Sequence, residues 1–185
     1  MSQTIHAPWR MEYIRLLENS DQSQGGCFLC QAVKALGNDS EKRSRKVLWA
    51  SRHCVVVMNK FPYTNGHLLV APQEHVACLE DLSSEQLSDL QAQTVAATRL
   101  LKKAMSPQGF NIGMNLGRCA GAGLPGHLHQ HVVPRWAGDV NFMSVIGNVR
   151  IQPQAMDQLY EELQILLPFS SESDKKGGMT ETQGV

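Results

Sequence analysis

Residues 127–133 read His-Leu-His-Gln-His-Val-Val, so His127, His129 and His131 recur at alternate positions. In a β-strand side chains alternate between faces, which would put all three imidazoles on one surface, roughly 6.6–6.8 Å apart in succession. Leu128, Gln130 and Val132 would face the other way. Imidazole is a good neutral nucleophile near pH 7, because its unperturbed pKa is about 6.5, and it also donates protons. Displacement at phosphorus needs both abilities. A lone strand histidine is usually a hydrogen-bonded core or edge residue, and two at alternate positions are often a metal pair. Three in strict alternation behind a glycine-rich loop argue for catalysis.

That loop runs Asn115-Leu116-Gly117-Arg118-Cys119-Ala120-Gly121-Ala122-Gly123. Gly117, Gly121 and Gly123 let backbone N–H groups come close to phosphate oxygens, and the Asn115 amide can donate to a non-bridging oxygen. By itself the loop is a weak signal, since glycine-rich hairpin loops are common; next to the histidines it gains weight. Cys27 and Cys30 have the two-residue spacing that lets two thiolates reach one tetrahedral zinc at about 2.3 Å. The competing reading is two free thiols on a short helix. Cys54, Cys78 and Cys119 are scattered.

The elements that must position these groups follow from periodicity and turn chemistry. Cys27–Leu36 reads as a short helix and Gly37–Arg45 as a charged loop. Lys46–Ala50 and Cys54–Met58 are β-branched runs joined by Ser51-Arg52-His53,. Pro62 to Gly66 has turn chemistry and leads into an apolar strand, His67–Ala71,. Ser83 and Gln86 have capping-box spacing, opening a helix that runs to about Met105. Its buried face would carry Leu87, Leu90, Thr94, Ala97 and Leu101,. Phe110–Leu116 alternates as a strand, and His127–Val133 is a strand stopped by Pro134,. An irregular segment from Trp136 to Gly147 precedes a C-terminal helix from about Gln154 to Leu167. The expected fold is α+β: an antiparallel sheet of about five strands with one long helix and a C-terminal helix.

At 185 residues the chain suits a single domain,. We expect that domain, with an N-terminal arm, over residues 1–168, and a disordered polar tail over 169–185,. Basic and acidic residues balance at 17 each, so no global field draws the chain to nucleic acid or to an anionic membrane,. No signal-peptide run or membrane-length apolar stretch occurs, and a cytoplasmic protein is expected,.

The histidine pattern resembles the signature of the histidine triad superfamily. The resemblance extends to Ala7-Pro8-Trp9-Arg10, to Asn59-Lys60-Phe61-Pro62-Tyr63 with Gly66-His67, to residues 111–117, and to Pro134-Arg135-Trp136 with Gly138-Asp139. It is most similar to the bacterial branch that includes diadenosine polyphosphate phosphorylases and hydrolases. That resemblance implies a homodimer in which His129 attacks an α-phosphate and carries a covalent nucleotidyl group, His131 assists the leaving group, and His67 joins their cluster. It implies that Asn115 contacts phosphate and Asn59 lies near the ribose. It also implies that His75 and His127 complete a structural zinc site with Cys27 and Cys30. His53 is a rival for the third ligand, although its place between two strands reads better as an exposed hairpin residue. The pattern departs at Leu124, where many relatives carry a hydroxyl residue, so the hydroxyl that would contact phosphate there is replaced by an apolar side chain.

The reading that follows is an enzyme splitting dinucleoside polyphosphates, with inorganic phosphate weakly favoured over water as acceptor. A nucleoside phosphoramidate hydrolase would use the same histidines. A zinc-stabilised nucleotide-binding module without turnover is the alternative from another class, and the intact set of His67, His127, His129 and His131 argues against it.

Overall fold

The computed structural model describes residues 26–139 and 154–167. The N-terminal arm, most of the segment expected to be irregular, and the tail lie outside these residues.

Five strands form one antiparallel sheet in the order β1-β2-β3-β5-β4. They are β1 (Val47–Ala50), β2 (Cys54–Met58), β3 (Leu68–Pro72), β4 (Gly109–Met114) and β5 (Gln130–Arg135). The middle strands are the apolar ones: β2 and β3 are buried throughout, whereas β4 carries two glycines, is largely exposed and takes an edge. The helices are α1 (Phe28–Lys34), α2 (Asp39–Ser44), α3 (Ser84–Met105) and α4 (Met156–Leu166).

Strand alternation divides the core in two. Cys54, Val56, Leu68, Val70 and Val132 face α3 and α4 and pack on Leu90, Ala97, Leu101 and Leu163. Val47, Val55, Val57, Leu69 and Ala71 face the opposite way and pack on Cys27, Leu29 and Ala32, from α1 and its N-cap. Burying such a side chain contributes about 1.5–3 kcal/mol, so the sheet is stabilised from both sides. The long helix starts as its sequence requires: the Ser83 hydroxyl accepts from Gln86 N–H and the Gln86 side chain accepts from Ser83 N–H. The expected inner face is also present, with Leu90, Thr94, Ala97 and Leu101 buried.

Several local expectations need correction. Gly37–Arg45 is not a loop, because Asn38 caps Glu41 N–H and starts α2; Asn followed three residues on by Glu was the signal. His127–Val133 is not one strand. Pairing begins only at Gln130 and passes through Pro134 to Arg135. Proline is tolerated there because β3 pairs only as far as Val132, which leaves β5 flanked on one side,.

Gly66 turns the chain into β3. Its φ of +78° is a left-handed value, and an added Cβ would stand 2.7 Å from Met105 Sδ. Gly66→Ala should therefore lower stability by about 1–3 kcal/mol through backbone strain and overpacking. Urea unfolding should show this as a lower midpoint with an unchanged slope.

Candidate active site

Although His127 and His129 precede the paired part of β5, the alternation expected of a strand persists through them. Leu128 N–H donates to Val76 O at 2.7 Å, which holds the approach in line. Leu128 and Val132 enter the core beneath α3, and Gln130 donates to Thr94 Oγ1 at 3.0 Å on the same side. The histidines take the other face. His131 lies opposite Leu69 of β3, and its ring centroid is 5.0 Å from that of His129 and 5.1 Å from that of His67.

Hydrogen bonds assign the tautomers. His129 Nδ1 is 2.8 Å from the His127 carbonyl. A carbonyl only accepts, so Nδ1 carries the proton and Nε2 keeps its lone pair. His67 Nδ1 accepts from the Tyr63 backbone N–H at 3.1 Å, so its Nε2 carries the proton and donates to His131 Nδ1 at 2.9 Å. His131 Nε2 must then bear the remaining hydrogen. That atom is buried and has no hydrogen-bond partner among the described residues, a costly state that a bound oxygen would relieve. Burial pushes His129 below the usual imidazole range, and burial together with the adjacent His129 pushes His131 down to about 4. Both rings are neutral at pH 7.

His129 and His131 open on a cavity of about 720 Å³, whose lining also includes Asn59, Tyr63, Gly121 and Gly123. Asn59 Nδ2 donates to His67 Nδ1 at 3.2 Å, and its Oδ1 accepts from Phe61 N–H at 3.0 Å. Asn115 and Gly117 are not on this lining. Asn115 Nδ2 lies 3.4 Å from Gly121 O and braces the loop; Gly117 begins the turn at φ +78° and Gly121 ends it at φ +90°. Leu124 is buried against α1 and also lines the cavity. His67 is 1% exposed and reaches this space through His131. Sequence reasoning placed Tyr63 in the turn and in the segment of family resemblance but gave it no role in the site. It stacks on His131 at 5.7 Å and positions His67 through its own N–H. The apolar lining from Val57 and Leu69 had no separate signal, since both residues read simply as strand core.

Behind the site, Cys27, Cys30, His75 and His127 converge, with their ligand atoms all within 4.8 Å of one another. Cys27 Sγ is 3.2 Å and Cys30 Sγ 3.5 Å from His127 Nδ1, and Cys30 Sγ is 3.1 Å from His75 Nδ1. Tetrahedral Zn–S and Zn–N bonds would set S···N edges of about 3.5 Å, so the donor set fits a metal ion. His127 Nε2–H donates to Pro72 O at 2.9 Å, turning Nδ1 toward the thiols as an outer-shell bond does at metal sites. Burial and the adjacent Cys27 push the Cys30 thiol up to about 11. His53 stands apart, 3.8 Å from Glu85.

Three neighbouring imidazoles, two of them lining a cavity edged by glycines, thus sit on one face of an α+β sheet. The HIT domain model matches residues 40–138. The chain is 36% identical over 154 residues to the AP-4-A phosphorylase of Mycobacterium tuberculosis, covering 83% of this chain and 78% of that protein. It is 33% identical over 94 residues to the asymmetrical bis(5'-nucleosyl)-tetraphosphatase of Schizosaccharomyces pombe, covering 51% of each. A zinc-bound histidine triad family protein from Mycobacterium smegmatis superposes with a TM-score of 0.60 at 23% identity, covering 78% of this chain and 94% of that one. The chain belongs to the HIT domain family and is an enzyme of it. Among the described residues no helix is long and apolar enough to cross a membrane.

Proposed function

We propose that the chain splits dinucleoside polyphosphates through a nucleotidyl group held on His129, with inorganic phosphate as the second acceptor. The observation that carries this reading is the pairing of a lone pair on His129 Nε2 with a hydrogen on the buried His131 Nε2, on two adjacent rings that line one cavity. In the first half-reaction His129 Nε2 forms a bond to the α-phosphorus as the bridging P–O bond breaks. His131 Nε2–H stabilises the departing oxygen, and His67 Nε2–H supports His131 from behind. In the second half-reaction a phosphate oxygen bonds to phosphorus, the P–N bond breaks and His129 regains its lone pair. Gly121 N–H and Ala122 N–H donate to Arg118 O and Gly117 O within the loop, so the Gly123 N–H, on the cavity lining, is the group of this turn that would meet the charge developing on a non-bridging oxygen,.

Phosphate is favoured as acceptor because the relative matched along most of this chain is named a phosphorylase. Zinc held by Cys27, Cys30, His75 and His127 would tie α1 to the segment bearing His129, a positional role outside the reaction. Incubation with diadenosine tetraphosphate should give ADP plus ATP, and turnover should require added phosphate. AMP plus ATP at an undiminished rate without phosphate would make the chain a hydrolase.

A further inference from the structure

The cavity runs across the sheet along one register row. His131 lies opposite Leu69, Leu69 opposite Val57, and Val57 opposite Val47. Three strand spacings of about 4.8 Å make this roughly 14 Å, about the length of an extended nucleoside monophosphate with its phosphate at the histidines. Asn59, one residue beyond β2, marks the middle. Val57 and Leu69 on one side, with Phe28 and Ala32 of α1, provide the apolar surfaces a flat base needs. At the end remote from the histidines, where the chain enters β1, the lining becomes polar with Gln31 and Arg45.

These two side chains are joined, Arg45 Nη1 donating to Gln31 Oε1 at 2.6 Å. The guanidinium therefore occupies the amide's acceptor and retains further N–H donors of its own. Asp157, the carboxylate on the same lining, is held by Lys46 Nζ at 2.5 Å. The Arg45–Gln31 wall is thus a donor surface. Guanine presents two acceptors, O6 and N7, on one edge, and the arginine fork matches them; adenine puts an N6 amine donor beside N7, so donor would meet donor.

We infer that Arg45, braced by Gln31, reads the purine edge and makes the site prefer guanine over adenine nucleotides. This rests on the proposed use of the cavity for a nucleotide. Calorimetric titration of the full chain with GMP and with AMP should show GMP binding about tenfold more tightly, the low end of what one bidentate base contact discriminates. Arg45→Ala should bring the ratio toward one. Arg45→Lys keeps the charge but loses the fork, and it should do the same. Equal affinities in the unmodified chain, or a preference that survives in both variants, would overturn the assignment. Turnover of diguanosine and diadenosine tetraphosphates separates this inference from the reaction itself. Turnover of both with equal nucleotide affinities defeats only the base assignment; a GMP preference without turnover of either defeats the reaction and leaves the base site standing.

Discussion

His129→Gly protein should fold, yet it should never become labelled by a dinucleoside polyphosphate radiolabelled at the α-phosphate. The side chain is 7% exposed and, among the described residues, its Nδ1–H bonds to a backbone carbonyl; losing that hydrogen bond costs about 0.5–1.5 kcal/mol, and glycine in extended backbone about 0.5–1 kcal/mol more. Chemistry should suffer far more. Removal of a nucleophile with no substitute should lower turnover by on the order of 10⁴-fold or more. The unmodified chain, quenched quickly in alkali, should carry an adduct that is stable in base and lost in acid, because a P–N bond to imidazole hydrolyses once the ring is protonated. His131→Ala must differ in kind. It should still form the adduct, but more slowly with a poor leaving group than with a good one, since a lost general acid typically costs about 10²- to 10⁴-fold. Labelled His129→Gly protein, or turnover within tenfold of the unmodified chain, would refute the nucleophile assignment.

Cys27→Ser should cost the metal and a large part of the stability. Protein purified without chelator should contain about one zinc per chain, as expected for a closed four-ligand site. Cys27 is fully buried, caps α1 and lies 3.2 Å from His127 Nδ1. The cluster therefore ties α1 to the segment that carries His129. Metal binding of this kind is folding free energy, and its loss should cost about 3–5 kcal/mol. For a domain of this size that corresponds to roughly 6–20 °C in Tm. Elemental analysis showing no metal in the unmodified protein, or a variant melting within 2–3 °C of it, would count against a structural zinc site.

Some of the architecture could be read locally, because local rules are sufficient to specify it. Ser83 and Gln86 mark the start of α3 since a cap needs only a hydroxyl and an amide three residues apart,. The β1–β2 hairpin, the strand after Gly66 and the shared face of His129 and His131 follow from alternation and turn chemistry,. The resemblance supplied His75 and His127 as companions for Cys27 and Cys30, and the four converge.

What the sequence could not decide depends on atoms distant along the chain. Pairing order placed β5 between β3 and β4, which put His131 opposite Leu69 and within 2.9 Å of His67, 64 residues away. That contact, with the Tyr63 N–H behind it, determines which nitrogen of His67 and of His131 carries a hydrogen, and so which can donate; the lone pair on His129 Nε2 is set by the His127 carbonyl two residues away. The sequence determined that imidazoles would share a surface, because alternation is a property of a single strand. Their division of labour was left to tertiary structure, because a tautomer is set by whichever donor or acceptor the fold brings to the ring's other nitrogen.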